Sequence, residues 1–145
     1  MEEGQIWLVD DDVDDNDIVK EVLTELEIPN ELVLLKSAKE AIARLEETRT
    51  APFIIVSALN LPDITGFELR KALLERNSKI FKSVPFIFWA TQATEDEITQ
   101  AYDLGIHGFF IKEGSFKDIK DTFSRIIQYW RRSKMPAKTE KNKFL

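Results

Sequence analysis

Asp10 and Asp11 follow the apolar residues 6–9, and two adjacent carboxylates at the end of a buried strand repel each other unless a cation lies between them. Carboxylate oxygens are hard ligands, which makes the pair a candidate magnesium site. Lys112 follows a second apolar run, residues 108–111, and brings a positive charge suited to an anion held on such a metal. Asn60 can add its backbone carbonyl, and Ala90-Thr91 ends a further apolar run. Residues 53–58 are apolar apart from Ser57 and end in Ala58, ahead of a loop punctuated by Pro62 and Gly66. The Ala58 methyl group can neither bind a metal nor accept a phosphoryl group.

The elements that must position these residues are legible from pattern. Short apolar runs at residues 5–9, 31–35, 53–58, 84–90 and 108–111 read as strands, the central ones buried on both faces. Helical spacing of Ile18, Val22, Leu23 and Leu26 predicts a helix after the acidic loop, with Asp14 to Asp17 supplying capping oxygens and negative charge at its positive end. Capping-box patterns at Ser37 to Glu40, Thr65 to Glu68 and Thr94 to Glu97 open three more helices, the last stopping at Gly105. A fifth starts near Ser115 and carries Phe116, Ile119, Phe123, Ile126, Ile127 and Trp130 on one stripe, after which the pattern is lost. Five strands alternating with five helices specify an α/β fold with a doubly wound, five-stranded parallel sheet. In the flavodoxin-like order 2-1-3-4-5, the first and third strands are neighbours, and the loops after Val9 and Ala58 meet in one pocket.

With 145 residues, 43% of them hydrophobic and 32% charged, the chain fits one domain. No apolar run approaches a membrane span of about 18 residues, and Met1 leads straight into Glu2 and Glu3 without a basic and apolar leader. A cytoplasmic chain with no membrane partner is expected. The absence of cysteine excludes disulfides, zinc–thiolate sites and thiol catalysis. His107, the one histidine, has no nucleophile elbow near it and reads as a surface turn residue. Six of the 20 basic residues but one of the 26 acidic ones lie in residues 131–145, a tail of net +5 that leaves −11 on residues 1–130. We therefore expect a folded domain at 1–130 that repels nucleic acid and a basic, partly disordered tail at 131–145.

Taken in order, these features resemble a response-regulator receiver domain of the two-component systems, over residues 5 to 130. Asp10-Asp11 matches the family's acidic pair, residues 60–66 its loop after the phosphoacceptor strand, Ala90-Thr91 its hydroxyl position and Lys112 its lysine. The resemblance implies a stand-alone receiver that pairs with a sensor histidine kinase or other signalling protein and acts through protein contacts. Partner docking, and a dimer, would use the fourth helix, fifth strand and fifth helix. It also implies departures. The phosphoacceptor aspartate matches Ala58, so phosphorylation is expected to be lost, either in a natural pseudo-receiver or in a receiver whose phosphoacceptor has been replaced by mutation. The switch hydroxyl matches Ala90, with Thr91 expected on the other side of the strand; the switch aromatic matches Phe109. Magnesium is expected to bind weakly, through Asp10, Asp11 and the Asn60 carbonyl. Asp63 lies too far round the loop to help, and Ser57 should face away by strand alternation. Glu113 stands where a cis proline is usual, so the Lys112–Glu113 bond is expected to be trans.

Two other chemistries fit the acidic run less well. As an EF-hand loop, residues 10–21 place Asp15 where the turn glycine belongs, and a strand precedes them instead of a helix. A small magnesium-dependent phosphatase of the haloacid-dehalogenase type would use Asp10 as nucleophile, Asp12 as acid/base and Lys112 as anion holder. Asp14 stands where that motif calls for Thr or Val.

Overall fold

The computed structural model describes residues 4–76 and 79–136. Its elements in chain order are β1 (Ile6–Val9), α1 (Val13–Glu25), β2 (Leu32–Leu35), α2 (Ala38–Glu47), β3 (Ile54–Ser57), α3 (Gly66–Glu75), α4 (Lys79–Lys82), β4 (Phe86–Ala90), α5 (Glu95–Asp103), β5 (Gly108–Ile111) and α6 (Phe116–Arg132). The strands pair in parallel in the order β2-β1-β3-β4-β5, as the alternation of elements predicts.

Every residue of β1, β3 and β4 is buried, which is why those strands read as unbroken apolar runs. Strand alternation divides them between two cores. Ile6, Leu8, Ile54, Val56, Ile87 and Trp89 pack against Val19, Val22 and Leu23 of α1 and the Ile119, Phe123, Ile126 and Ile127 stripe of α6. Trp7, Val9, Ile55, Phe86 and Phe88 face the other way, onto Ala41 and Leu45 of α2 and Phe67, Leu69 and Leu73 of α3. The edge strands β2 and β5 are only partly covered, leaving Leu34, Phe110 and Ile111 exposed.

The chain departs from expectation at several helix ends. A four-residue helix, α4, precedes β4, so the fourth and fifth helices of the sequence reading are α5 and α6. The cap of α1 is Asp12, whose carboxylate accepts the Asp15 N–H; Asp14 and Asp15 lie in the first turn, where their charge favours the positive end of the dipole. At α2, Ser37 accepts from Glu40 N–H, but the Glu40 carboxylate takes the N–H of Lys36. The capping box at Thr94 and Glu97 is reciprocal. Gly105 follows α5 with φ of 72°, a left-handed position that glycine adopts without a Cβ clash. Helix α6 continues two residues past Trp130 to Arg132, so the start of the basic tail is helical; residues 137–145 of that tail lie outside the described residues. Among the described residues no helix is long and apolar enough to cross a membrane.

Candidate functional site

At the carboxyl end of the sheet, the loops after β1, β3, β4 and β5 enclose a cavity of about 220 Å³. Asp10, Asp11 and Asp12 form one wall, Ala58, Leu59 and Asn60 a second, and residues 89–92 with Lys112 the remainder. Backbone hydrogen bonds extend the sheet ladder one residue past the strand ends and fix three of these positions. Asp10 N–H donates to Leu35 O at 2.9 Å, Ala58 N–H to Val9 O at 2.8 Å, and Lys112 N–H to Ala90 O at 2.7 Å. The topology thus brings together residues 102 apart in sequence.

The electrostatic centre is Lys112. Its Nζ donates to Asp10 Oδ2 at 2.8 Å and to Asp15 Oδ2 at 2.7 Å, and lies 4.8 Å from the centre of the Trp89 ring. Burial opposes the charge on this ammonium, but the two carboxylates outweigh it and raise the lysine's pKa. Asp10 is 2% exposed, and its other oxygen, Oδ1, accepts the Asp12 N–H at 3.0 Å. Asn16 Nδ2 ties the Asp10 carbonyl at 3.0 Å. A buried carboxylate needs such partners to stay ionised without a large desolvation cost.

Of the positions picked from sequence, Asp10, Asp11, Ala58, Asn60, Ala90, Thr91 and Lys112 all border the cavity. Thr91 is the first residue after β4. Phe109 is not in the wall; it packs beside Phe88, ring centres 5.6 Å apart. Ser57 faces away, fully buried, its hydroxyl donating to Ala58 O. The Lys112–Glu113 peptide is trans. Asp63 is engaged elsewhere: its carboxylate accepts the Ala38 and Lys39 N–H groups at the start of α2.

Sequence reasoning missed Asp15 as a partner of Lys112. Its one trace in the sequence is its place in the first turn of α1, three residues past the Asp12 cap, and Asp14 shares that turn. His107 is more than a surface turn residue. It is exposed overall, yet its Nδ1 accepts the Phe86 N–H at 3.0 Å and its ring meets Trp130 edge-on at 5.5 Å. Partial burial, together with the nearby Arg70 charge, pushes its pKa below the ordinary histidine value.

Comparison with known proteins agrees with this architecture. The sequence model of the response regulator receiver domain matches residues 6–124. The response regulator Rcp1 of Synechocystis sp. is 30% identical over 130 residues, spanning 86% of this chain and 87% of Rcp1. The structure of the phosphorylated cyanobacterial phytochrome response regulator RcpA superposes with a TM-score of 0.84 at 25% identity, covering 94% of this chain and all of RcpA. The Mn(2+)-bound form of Rcp1 gives a TM-score of 0.80 at 27% identity, covering 92% of this chain and 99% of that one. Membership also removes the phosphatase expectation. Asp10, its proposed nucleophile, is buried with both oxygens already hydrogen-bonded. By its fold, its matched residues and its relatives, this chain belongs to the response regulator receiver domain family of two-component signalling, regulators rather than enzymes.

Proposed function

We propose that this chain is a stand-alone, phosphorylation-deficient receiver, a pseudo-receiver, that works through protein contacts. The observation that carries this reading is the methyl group of Ala58. It sits at the carboxyl end of the third strand in the cavity that Asp10, Asp11 and Lys112 also line, where a phosphoacceptor would need a carboxylate. Ala90, which lines the same cavity, has no hydroxyl to hold a phosphoryl group. Phe109, in the switch-aromatic position, can rotate but lacks a hydroxyl of its own. On this reading magnesium binds weakly through Asp10, Asp11 and the Asn60 carbonyl.

The partner is a sensor histidine kinase or another signalling protein, met on the face formed by α5, β5 and α6. Phe110 is 36% exposed there and Tyr129 65%, which supports a docking surface, for a partner or a second copy. The net charge of −11 on residues 1–130 argues against nucleic acid. Residues 1–130 form the receiver unit and residues 131–145 a basic extension, in a cytoplasmic protein.

Acetyl phosphate with magnesium, followed by intact-mass measurement, tests the reading. The wild-type chain is expected to stay unmodified, and Ala58→Asp in parallel reports whether the remaining pocket still supports phosphotransfer. A stable gain of one phosphoryl group on the wild-type chain overturns the proposal.

A further inference from the structure

The acidic pair as arranged here is not open to the metal that the receiver family implies, because Asp10 already has partners on both oxygens. Asp10 holds Asp12 N–H on one oxygen and the Lys112 ammonium on the other, at 3.0 and 2.8 Å. Among the described residues no three carboxylate or histidine side chains converge on a point where a cation would sit. The cation in that place is Lys112 itself, held also by Asp15 at 2.7 Å.

We propose that Lys112 is the resident cation of this site, drawn onto Asp10 by Asp15, and that a divalent metal binds only by displacing it. The lysine side chain is 13% exposed and that of Asp10 3%, so the ammonium is held among groups largely withdrawn from water. The Trp89 ring beneath Nζ adds an attractive contact to the same position. With Ala58 across the cavity, nothing at that position competes for the ammonium, and Asp15 sets where it rests. Asp15 is thus a positioning residue, and Lys112 offsets part of the site's negative charge without an added ion. This inference rests on reading Asp10 and Asp11 as a metal-binding pair, and it assigns the weak affinity to an occupied site in addition to a lost ligand.

Isothermal titration of the full chain with manganese chloride at fixed ionic strength tests it, using Lys112→Met and Asp15→Asn. Lys112→Met should bind manganese at least tenfold more tightly than the wild type. Asp15→Asn decides between displacement and simple charge: removing a negative charge by itself weakens cation binding, whereas freeing Lys112 strengthens it, here by about threefold or more. The asparagine is close to isosteric, so this variant keeps the test usable where Lys112→Met fails to fold. Weaker or unchanged binding by Asp15→Asn overturns the inference, as does the absence of binding in every variant. Tighter binding by Ala58→Asp alone, with the other two unchanged, also overturns it while leaving the pseudo-receiver reading intact.

Discussion

Asp63 joins two parts of the chain through one carboxylate, accepting the N–H of Ala38 at 3.2 Å and of Lys39 at 2.9 Å. Desolvation opposes its ionisation, but the N–H donors at the start of α2 prevail and hold its pKa below the ordinary aspartate value. A carboxyl whose folded pKa is depressed stabilises the fold above its unfolded pKa and loses that contribution as pH falls through the folded value. Asp63→Asn should therefore lower the urea midpoint at neutral pH, and the gap between variant and wild type should close below about pH 4. Equal gaps at both pH values would refute the linkage. At this scale the sequence was only partly legible. Asp10, Ala58 and Lys112 could be placed because each ends or directly follows an apolar run, whereas Asp15 and Asp63 could not. A charged residue in a first helical turn or a loop reads the same whether it is solvated or reaching across to another element.

The β3–α3 connection depends on Gly66. A Cβ there would lie 2.4 Å from Ala58 O and 2.6 Å from a ring carbon of Phe88, so helix α3 can begin this close to the strand end only with glycine. Gly66→Ala should cost about 1–3 kcal/mol in urea unfolding, the usual toll of overpacking a tight contact. A neutral result would mean the loop yields freely. Helix α5 depends instead on Arg70 of α3, which is 2% exposed and donates to Leu104 O at 2.9 Å and Gly105 O at 2.8 Å, satisfying carbonyls at the helix end. Replacing it by Met should remove roughly 1–3 kcal/mol of local stability and speed amide exchange in α5 selectively. Uniform acceleration across the sheet would contradict that assignment. Strands and long helices were legible because their apolar spacing is dictated by two-sided or one-sided burial. Arg70 was not, since an arginine within an amphipathic helix normally marks its solvent face, and α4 is too short to carry a period.

Across the whole molecule, the acid response should combine Asp63 with a second group, His107. The depressed pKa of His107 means that the fold favours its neutral ring, which accepts the Phe86 N–H. Its contribution is complete above the unfolded value of about 6.5 and declines as pH falls through the folded value. The urea midpoint should thus drop as pH falls below about 6.5, and His107→Asn, which keeps an acceptor but does not titrate, should flatten that segment. An unchanged profile in the variant would place the acid sensitivity elsewhere. The global topology was the most legible level, because five alternating β and α segments with short connections leave few alternatives to a doubly wound parallel sheet. What that topology could not convey is how the acids and Lys112 pair within the pocket, which depends on side-chain reach. A receiver-fold pocket walled by Ala58 and Ala90 should not respond to phosphodonors. Two-dimensional amide NMR of the full chain, with and without acetyl phosphate and magnesium at constant ionic strength, tests this most directly. We predict that phosphodonor in the presence of magnesium leaves the resonances around Ala58, Ala90 and Phe109 unmoved. A donor-dependent shift spreading from Ala58 through Phe109 would contradict the account.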